Sequence, residues 1–186
     1  NYLFMKYKAL LFGSIGTLIE SSDIQRNSFN ESFQEADLDW YWDEQDYKIL
    51  LKTSGGTKRV EDFAEKNNEN VNAAKIRNRK TEIFSSYIIQ NKQKLRKSVP
   101  EIIKYSKDNK IKLGFSTSTT INNVEAVFNS LDGQIEKADF HFIGNKSLVK
   151  NEKPFPDIYK VALANLNLKP EECLAIEDTE ESSNSA

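Results

Sequence analysis

The sequence predicts an α/β fold, a parallel sheet whose first strand is followed by a long helical interruption. Two observations carry this. From residue 99 onward, short apolar runs alternate with helical stretches of about 10–15 residues, the pattern of βαβ units. Residues 20–91, by contrast, read as helix throughout, and one apolar run, Lys8 to Phe12, precedes them.

Lys8 to Phe12 is short and continuously apolar towards its end, as a buried strand is. "FGSIGTL" (12–18) carries the chain into a turn. Ser22 with Gln25 three residues on has capping-box spacing, so a helix is expected to begin there and to continue through Phe29, Phe33 and Ala36. Residues 43–52 put Tyr47, Leu50 and Leu51 on one face. Ser54-Gly55-Gly56-Thr57 reads as a turn, and Val60, Phe63 and Ala64 mark a short helix. Residues 72–91 form a longer one through Ile76, Ile83, Phe84, Tyr87 and Ile88. Helices are then expected over 99–109, 121–131 and 157–166, and strands over 112–116, 138–143 and 173–177. No closing element is expected after the last strand.

At 186 residues, one domain or a core with an insertion is the natural size. Hydrophobic residues at 38% and charged residues at 29% fit a globular chain, and a net charge of −2 gives no global field for nucleic acid or an anionic membrane. No apolar run approaches the roughly 18 residues of a membrane span. The single cysteine, Cys173, cannot close an internal disulfide, which suggests a reducing, cytoplasmic setting. Met5, the only methionine, is read as the start, with residues 1–4 as remnants of a tag.

Open parallel sheets bind ligands at the carboxyl edge of their strands. Four segments are expected there: 13–17, 116–120, the loop at Lys153, and 177–179. Ser116-Thr117-Ser118-Thr119-Thr120 follows a strand and opens a helix, which suits an anion such as phosphate or else is an N-cap with extra hydroxyls. Lys153 precedes Pro154-Phe155-Pro156, whose rings restrict the backbone around it; it is a phosphate-neutralising lysine or a surface one. Glu177-Asp178 ends an apolar strand and could hold Mg²⁺ through carboxylate oxygens, or Asp178 could cap a helix. His141 lies in an apolar strand and Cys173 begins one, so both read as structural. The basic stretches "KIRNRK" (75–80) and "NKQKLRK" (91–97) read as solvated helix faces, with Phe84 and Tyr87 at core-facing spacing, and Trp40 and Trp42 as packing.

In order, these segments resemble the haloacid dehalogenase superfamily, most closely its CbbY-type and phosphoglucomutase-like sugar-phosphate phosphatases. The resemblance runs from Lys6 to Ala186. It is carried by "RNSFNESF", "LDWYWDEQDYKILLKTSGGTKRV", "FSTSTTINNVEAV", "EKPFPDIYKVAL" and "LAIEDT". It implies a haloacid-dehalogenase-like Rossmannoid core, residues 5–19 plus 92–186, with an all-helical cap over 20–91. It also implies phosphoryl transfer through an aspartyl-phosphate with Mg²⁺. By position, Ser116 and Thr117 match the phosphate-holding second motif, Lys153 the third-motif lysine, and Glu177 and Asp178 the metal acids. Gly56 and Arg59 fall in the cap's substrate region.

The first motif departs from the family's Asp-x-Asp-Gly-Thr. Gly13 stands where the nucleophile belongs and Ile15 where the acid/base belongs, while Gly16 and Thr17 are kept. Ser14 lies between them, and in the family that side chain points away from the phosphate. Glu20 and Asp23 lie on the cap side. The resemblance therefore implies a phosphatase homologue impaired in catalysis that binds a phosphorylated metabolite such as a sugar phosphate, with Mg²⁺ held weakly. Two alternatives stand beside it: an active hydrolase using a displaced carboxylate or a metal-bound water, and a protein-interaction scaffold.

Overall fold

The computed structural model describes residues 7–52 and 55–186, so the expected start at Met5 and the first residue of the 54–57 turn lie outside it. Among the described residues, four parallel strands form one sheet, in the order β3-β2-β1-β4. They are β1 (Ala9–Phe12), β2 (Lys112–Phe115), β3 (Phe142–Ile143) and β4 (Cys173–Ile176). β1 is central, with Leu10 beside Leu113 on one flank and beside Leu174 on the other.

Strand side chains alternate between faces, and here both faces are covered. Leu10, Phe12, Leu113 and Phe115 enter one core with Val124, Val127 and Phe128 of α7 (Ile121–Ser130) and Ile103 of α6 (Val99–Asp108). Ala9 and Leu11 enter the other with Ile158, Ala162 and Leu166 of α8 (Asp157–Leu166). This double burial explains why the strands read as apolar runs without alternation. Asn167, in the left-handed conformation at φ 53°, ends α8.

After β1, α1 (Ile15–Leu18) makes a single turn. Next come α2 (Ser22–Glu35), α3 (Glu44–Leu50), α4 (Gly56–Lys66) and α5 (Ala73–Gln90). The chain leaves and re-enters the sheet region side by side, with Ile19 and Leu95 bridged. Phe29, Phe33, Trp40, Trp42, Tyr47 and Val60 build a separate aromatic core, with Trp42 4.7 Å from Phe33 and 4.9 Å from Phe29 between ring centres. α5 serves both cores: Ala73 and Ile76 join the aromatic cluster, Phe84 and Ile88 the sheet's.

Several elements differ from the sequence reading. The capping box at Ser22 and Gln25 does not form; Ser22 is the first helical residue, and its N–H donates instead to Glu20 Oε1 at 3.3 Å. Gly56 and Thr57 open α4 rather than a turn, with Gly55 as N-cap. The strand expected over 138–143 shrinks to Phe142–Ile143, because Asp139 closes a polar turn over Lys137–Asp139 by accepting from Glu136 N at 2.9 Å. Tyr87 is not core-facing but 47% exposed. A final helix, α9 (Glu180–Ser185), follows β4, its first turn capped by Thr179 Oγ1, which accepts from Ser182 N at 3.1 Å.

Candidate functional site

The carboxyl ends of β1, β2 and β4 are stapled together by backbone bonds. Ser116 N donates to Phe12 O at 2.7 Å, and Gly13 N donates to Ile176 O at 2.9 Å. These bonds place Gly13, Ser116 and Glu177 side by side. A cleft of about 980 Å³ opens above them, walled by this edge on one side and by α2–α5 on the other. Thr117, Ser118, Thr119, Lys153 and Asp178 line it. Ser116 is wholly buried, with an Oγ that has no hydrogen-bond partner. Such a hydroxyl is costly unless something satisfies it.

Gly13 borders a crowded place. A Cβ there would overlap the Glu177 carboxylate and the Tyr159 hydroxyl. Glu177, its side chain 3% exposed, is held from three sides. Lys153 Nζ pairs with Glu177 Oε1 and also donates to Gly13 O at 2.5 Å. Tyr159 OH donates to Glu177 Oε1 at 2.5 Å. Ser14 Oγ lies 2.9 Å from Glu177 Oε2 and 2.6 Å from Asp178 Oδ1, its one proton shared between the two carboxylates. Ser14 therefore points into the acid pair, next to the space over Gly13 that Glu177 fills. Burial lowers the Lys153 pKa, and Glu177 partly offsets this. Burial and then Glu177 push the Tyr159 hydroxyl up, so it stays a donor.

This arrangement does not fit the Mg²⁺ that the resemblance implies. A divalent cation needs several oxygen ligands converging on one point, and the Glu177 carboxylate is committed to Lys153 and Tyr159. Asp178 is left beside the cleft with a hydroxyl on one oxygen. Among the described residues, no group of three His, Cys, Asp or Glu side chains could hold a metal ion.

The opposite wall is cationic. Arg59, 5% exposed, lies over the Tyr47 ring at 5.6 Å, donates Nε to Leu50 O at 3.2 Å and sits 3.8 Å from Glu181 of α9. Arg77 pairs with Glu152 at 3.2 Å. Lys80 donates to Gln25 Oε1 and lies 4.8 Å above the Phe29 ring, and among the described residues it has no carboxylate in salt-bridge reach. Burial, then Arg77 and Arg59, hold its ammonium well below its usual pKa. Gly56 lines the same wall, and the Phe155 ring, 56% exposed, lies at the mouth.

Comparison with known proteins agrees with this architecture. Residues 7–181 match the family described as haloacid dehalogenase-like hydrolase. The chain belongs to this family. It is 36% identical over 178 residues to Protein CbbY of Rhodobacter capsulatus, covering 94% of this chain and 78% of that one. The crystal structure of CbbY from Rhodobacter sphaeroides in complex with phosphate superposes with a TM-score of 0.80 at 32% identity, covering 96% of this chain and 83% of that one. A variant of that protein in complex with xylulose-(1,5)bisphosphate gives a TM-score of 0.81 at the same identity and coverage.

Other candidate residues of this haloacid dehalogenase homologue have partners of their own or lie away from the cleft. Glu20 pairs with Arg96 at 2.8 Å and Asp23 with Arg26 at 3.4 Å, both at the cleft rim. His141 Nδ1 accepts from Leu113 N at 3.2 Å, at the sheet edge. Burial raises the Cys173 thiol pKa. The basic run 75–80 is not wholly a solvated face, since Arg77 and Lys80 enter the cleft. Their i, i+3 spacing, continued by Phe84, was the available signal. Tyr159 gave no signal of its own, because its role depends on where β4 ends. No helix among the described residues is long and apolar enough to cross a membrane.

Proposed function

We propose that this chain binds a phosphorylated sugar in the cleft and does not turn it over by the aspartyl-phosphate route. The observation that carries this is the filled place beside Gly13, where Glu177 lies bonded to Lys153, Tyr159 and Ser14. Glycine offers nothing to attack phosphorus. Ile15, buried in the sheet core, carries no proton, and a missing general acid/base alone is worth roughly 10²- to 10⁴-fold.

The binding half is intact in kind. Thr117 and the loop amides after β2, the unsatisfied Ser116 hydroxyl and the remaining N–H of Lys153 would hold a phosphate. Residues 20–91 would act as a cap over a core of 5–19 and 92–186, presenting Gly56, Arg59 and Lys80 to the distal end of the ligand. Cations on both walls suit a sugar with two anionic groups, in keeping with the xylulose-(1,5)bisphosphate held by the relative.

The test is twofold. Xylulose-(1,5)bisphosphate is expected to raise the melting temperature, with a stabilisation of about 2.7 kcal/mol at roughly 100 times Kd. A phosphate-ester panel with Mg²⁺ is expected to give no turnover. Hydrolysis at an ordinary enzyme rate, about 1 s⁻¹ or more, would overturn the reading.

A further inference from the structure

We infer that the loss of the residue 13 side chain has turned the acid pair from a metal site into an internal counter-charge for Lys153, so that the cleft takes a phosphate ester without a divalent cation. This rests on the binding role proposed above.

Glu177 and Asp178 are adjacent in sequence and share the Ser14 hydroxyl, yet their carboxylates fill different spaces. Asp178 occupies the space over Gly16, where a Cβ would overlap it. Glu177 fills the space over Gly13 and is closed in by Lys153, Tyr159 and Ser14. Were residue 13 an aspartate, its Cβ would overlap the Glu177 carboxylate and expel it. A carboxylate from position 13, Asp178 and the displaced Glu177 would then converge as hard oxygen ligands. With glycine there, the carboxylate drops into the gap and Lys153, its side chain 9% exposed, gains a buried partner. A buried ammonium needs such a partner.

The ester's charge must then be met by protein cations. Lys153 has one N–H beyond those given to Gly13 O and Glu177. Lys80, without a carboxylate of its own among the described residues, lines the same cleft. The site thus meets the ester with one N–H of a lysine already paired to Glu177 and with one ammonium that has no carboxylate partner among the described residues.

Three titrations test this. MgCl₂ alone, to about 10 mM, is expected to give no saturable heat and no shift in melting temperature with the unaltered chain. Xylulose-(1,5)bisphosphate is expected to bind with the same Kd, within about twofold, in Mg²⁺ and in EDTA. Gly13→Asp is expected to acquire saturable Mg²⁺ binding that Gly13→Asp/Asp178→Asn loses. Saturable Mg²⁺ binding by the unaltered chain that Asp178→Asn abolishes overturns the inference, as does a loss of about tenfold or more in sugar-phosphate affinity on adding EDTA. If the sugar phosphate binds under neither condition, the binding role fails, and the Mg²⁺ titration of the unaltered chain still decides the metal question. If Gly13→Asp does not fold, that same titration decides it.

Discussion

Lys80 is the residue whose charge the cleft most needs and least favours. Burial and the neighbouring Arg77 and Arg59 depress its pKa from 10.5, so a fraction of Lys80 is neutral at a lower pH than an exposed lysine would be. A ligand phosphate favours the charged form, so binding takes up a proton wherever the free protein's Lys80 is neutral. Affinity for xylulose-(1,5)bisphosphate is therefore expected to fall as pH rises above that depressed value. It should be level below it, down to about pH 6, where a phosphate ester itself gains a proton. Stability of the ligand-free chain runs the other way. The unfolded chain keeps the Lys80 proton nearer to pH 10.5 and the folded one releases it earlier, so this residue's contribution to stability rises with pH between the two values. Calorimetry at several pH values with Lys80→Met, expected to weaken binding by about tenfold and to flatten its alkaline slope, checks both signs.

Among the elements, the β2–α7 loop depends on a close approach by the segment after β3. A Cβ on Gly144 would fall 2.7 Å from the Thr117 carbonyl oxygen and 2.7 Å from Ile158 Cδ1. A methyl side chain can turn aside, but a backbone oxygen moves only with its loop. Gly144→Ala is therefore expected to cost about 1–3 kcal/mol and to weaken sugar-phosphate binding by shifting residues 117–119. Gly114→Ala makes the control: its Cβ meets Leu11 Cδ2 at 2.6 Å, a side-chain end that can rotate, and its next neighbours are side-chain atoms of Leu11 and Leu166 at 3.9 Å rather than the loop. Urea unfolding should find both variants less stable, and calorimetry should find only Gly144→Ala impaired in binding.

For the whole molecule, the two cores are joined through one helix. α5 places Ala73 and Ile76 in the aromatic cluster and Phe84 and Ile88 in the sheet core, so neither core can lose its packing without exposing the other. Both tryptophans, Trp40 and Trp42, belong to the aromatic cluster. Tryptophan fluorescence therefore reports the helical part, while far-UV circular dichroism reports the entire chain. The two unfolding curves are expected to coincide. A fluorescence transition clearly ahead of the dichroism transition would mean that the helical part unfolds on its own.

The order of strands and helices was legible because burial on both sheet faces writes apolar runs, and burial of one helix face writes 3.6-residue periodicity. The motif residues Gly13, Thr117, Lys153 and Asp178 were placed at one edge by the same reasoning, since a parallel sheet brings its carboxyl ends together. Sequence pattern thus led to the fold and to the sheet edge where the cleft lies, and the family resemblance marked the two vacancies in the first motif. What fills the first vacancy, and which cations face it, depends on packing in three dimensions. Glu177 and Asp178 look alike as neighbours in a chain; their separation into a lysine's counter-charge and a cleft-wall acid follows from the volume left over Gly13 and from Lys153 and Tyr159 arriving from distant segments. Lys80 reads as one more cation in a basic run until α5 packs against α2 and turns it inward. Local pattern records which side chains are apolar and how they repeat, but the space left by an absent side chain belongs to the packed molecule.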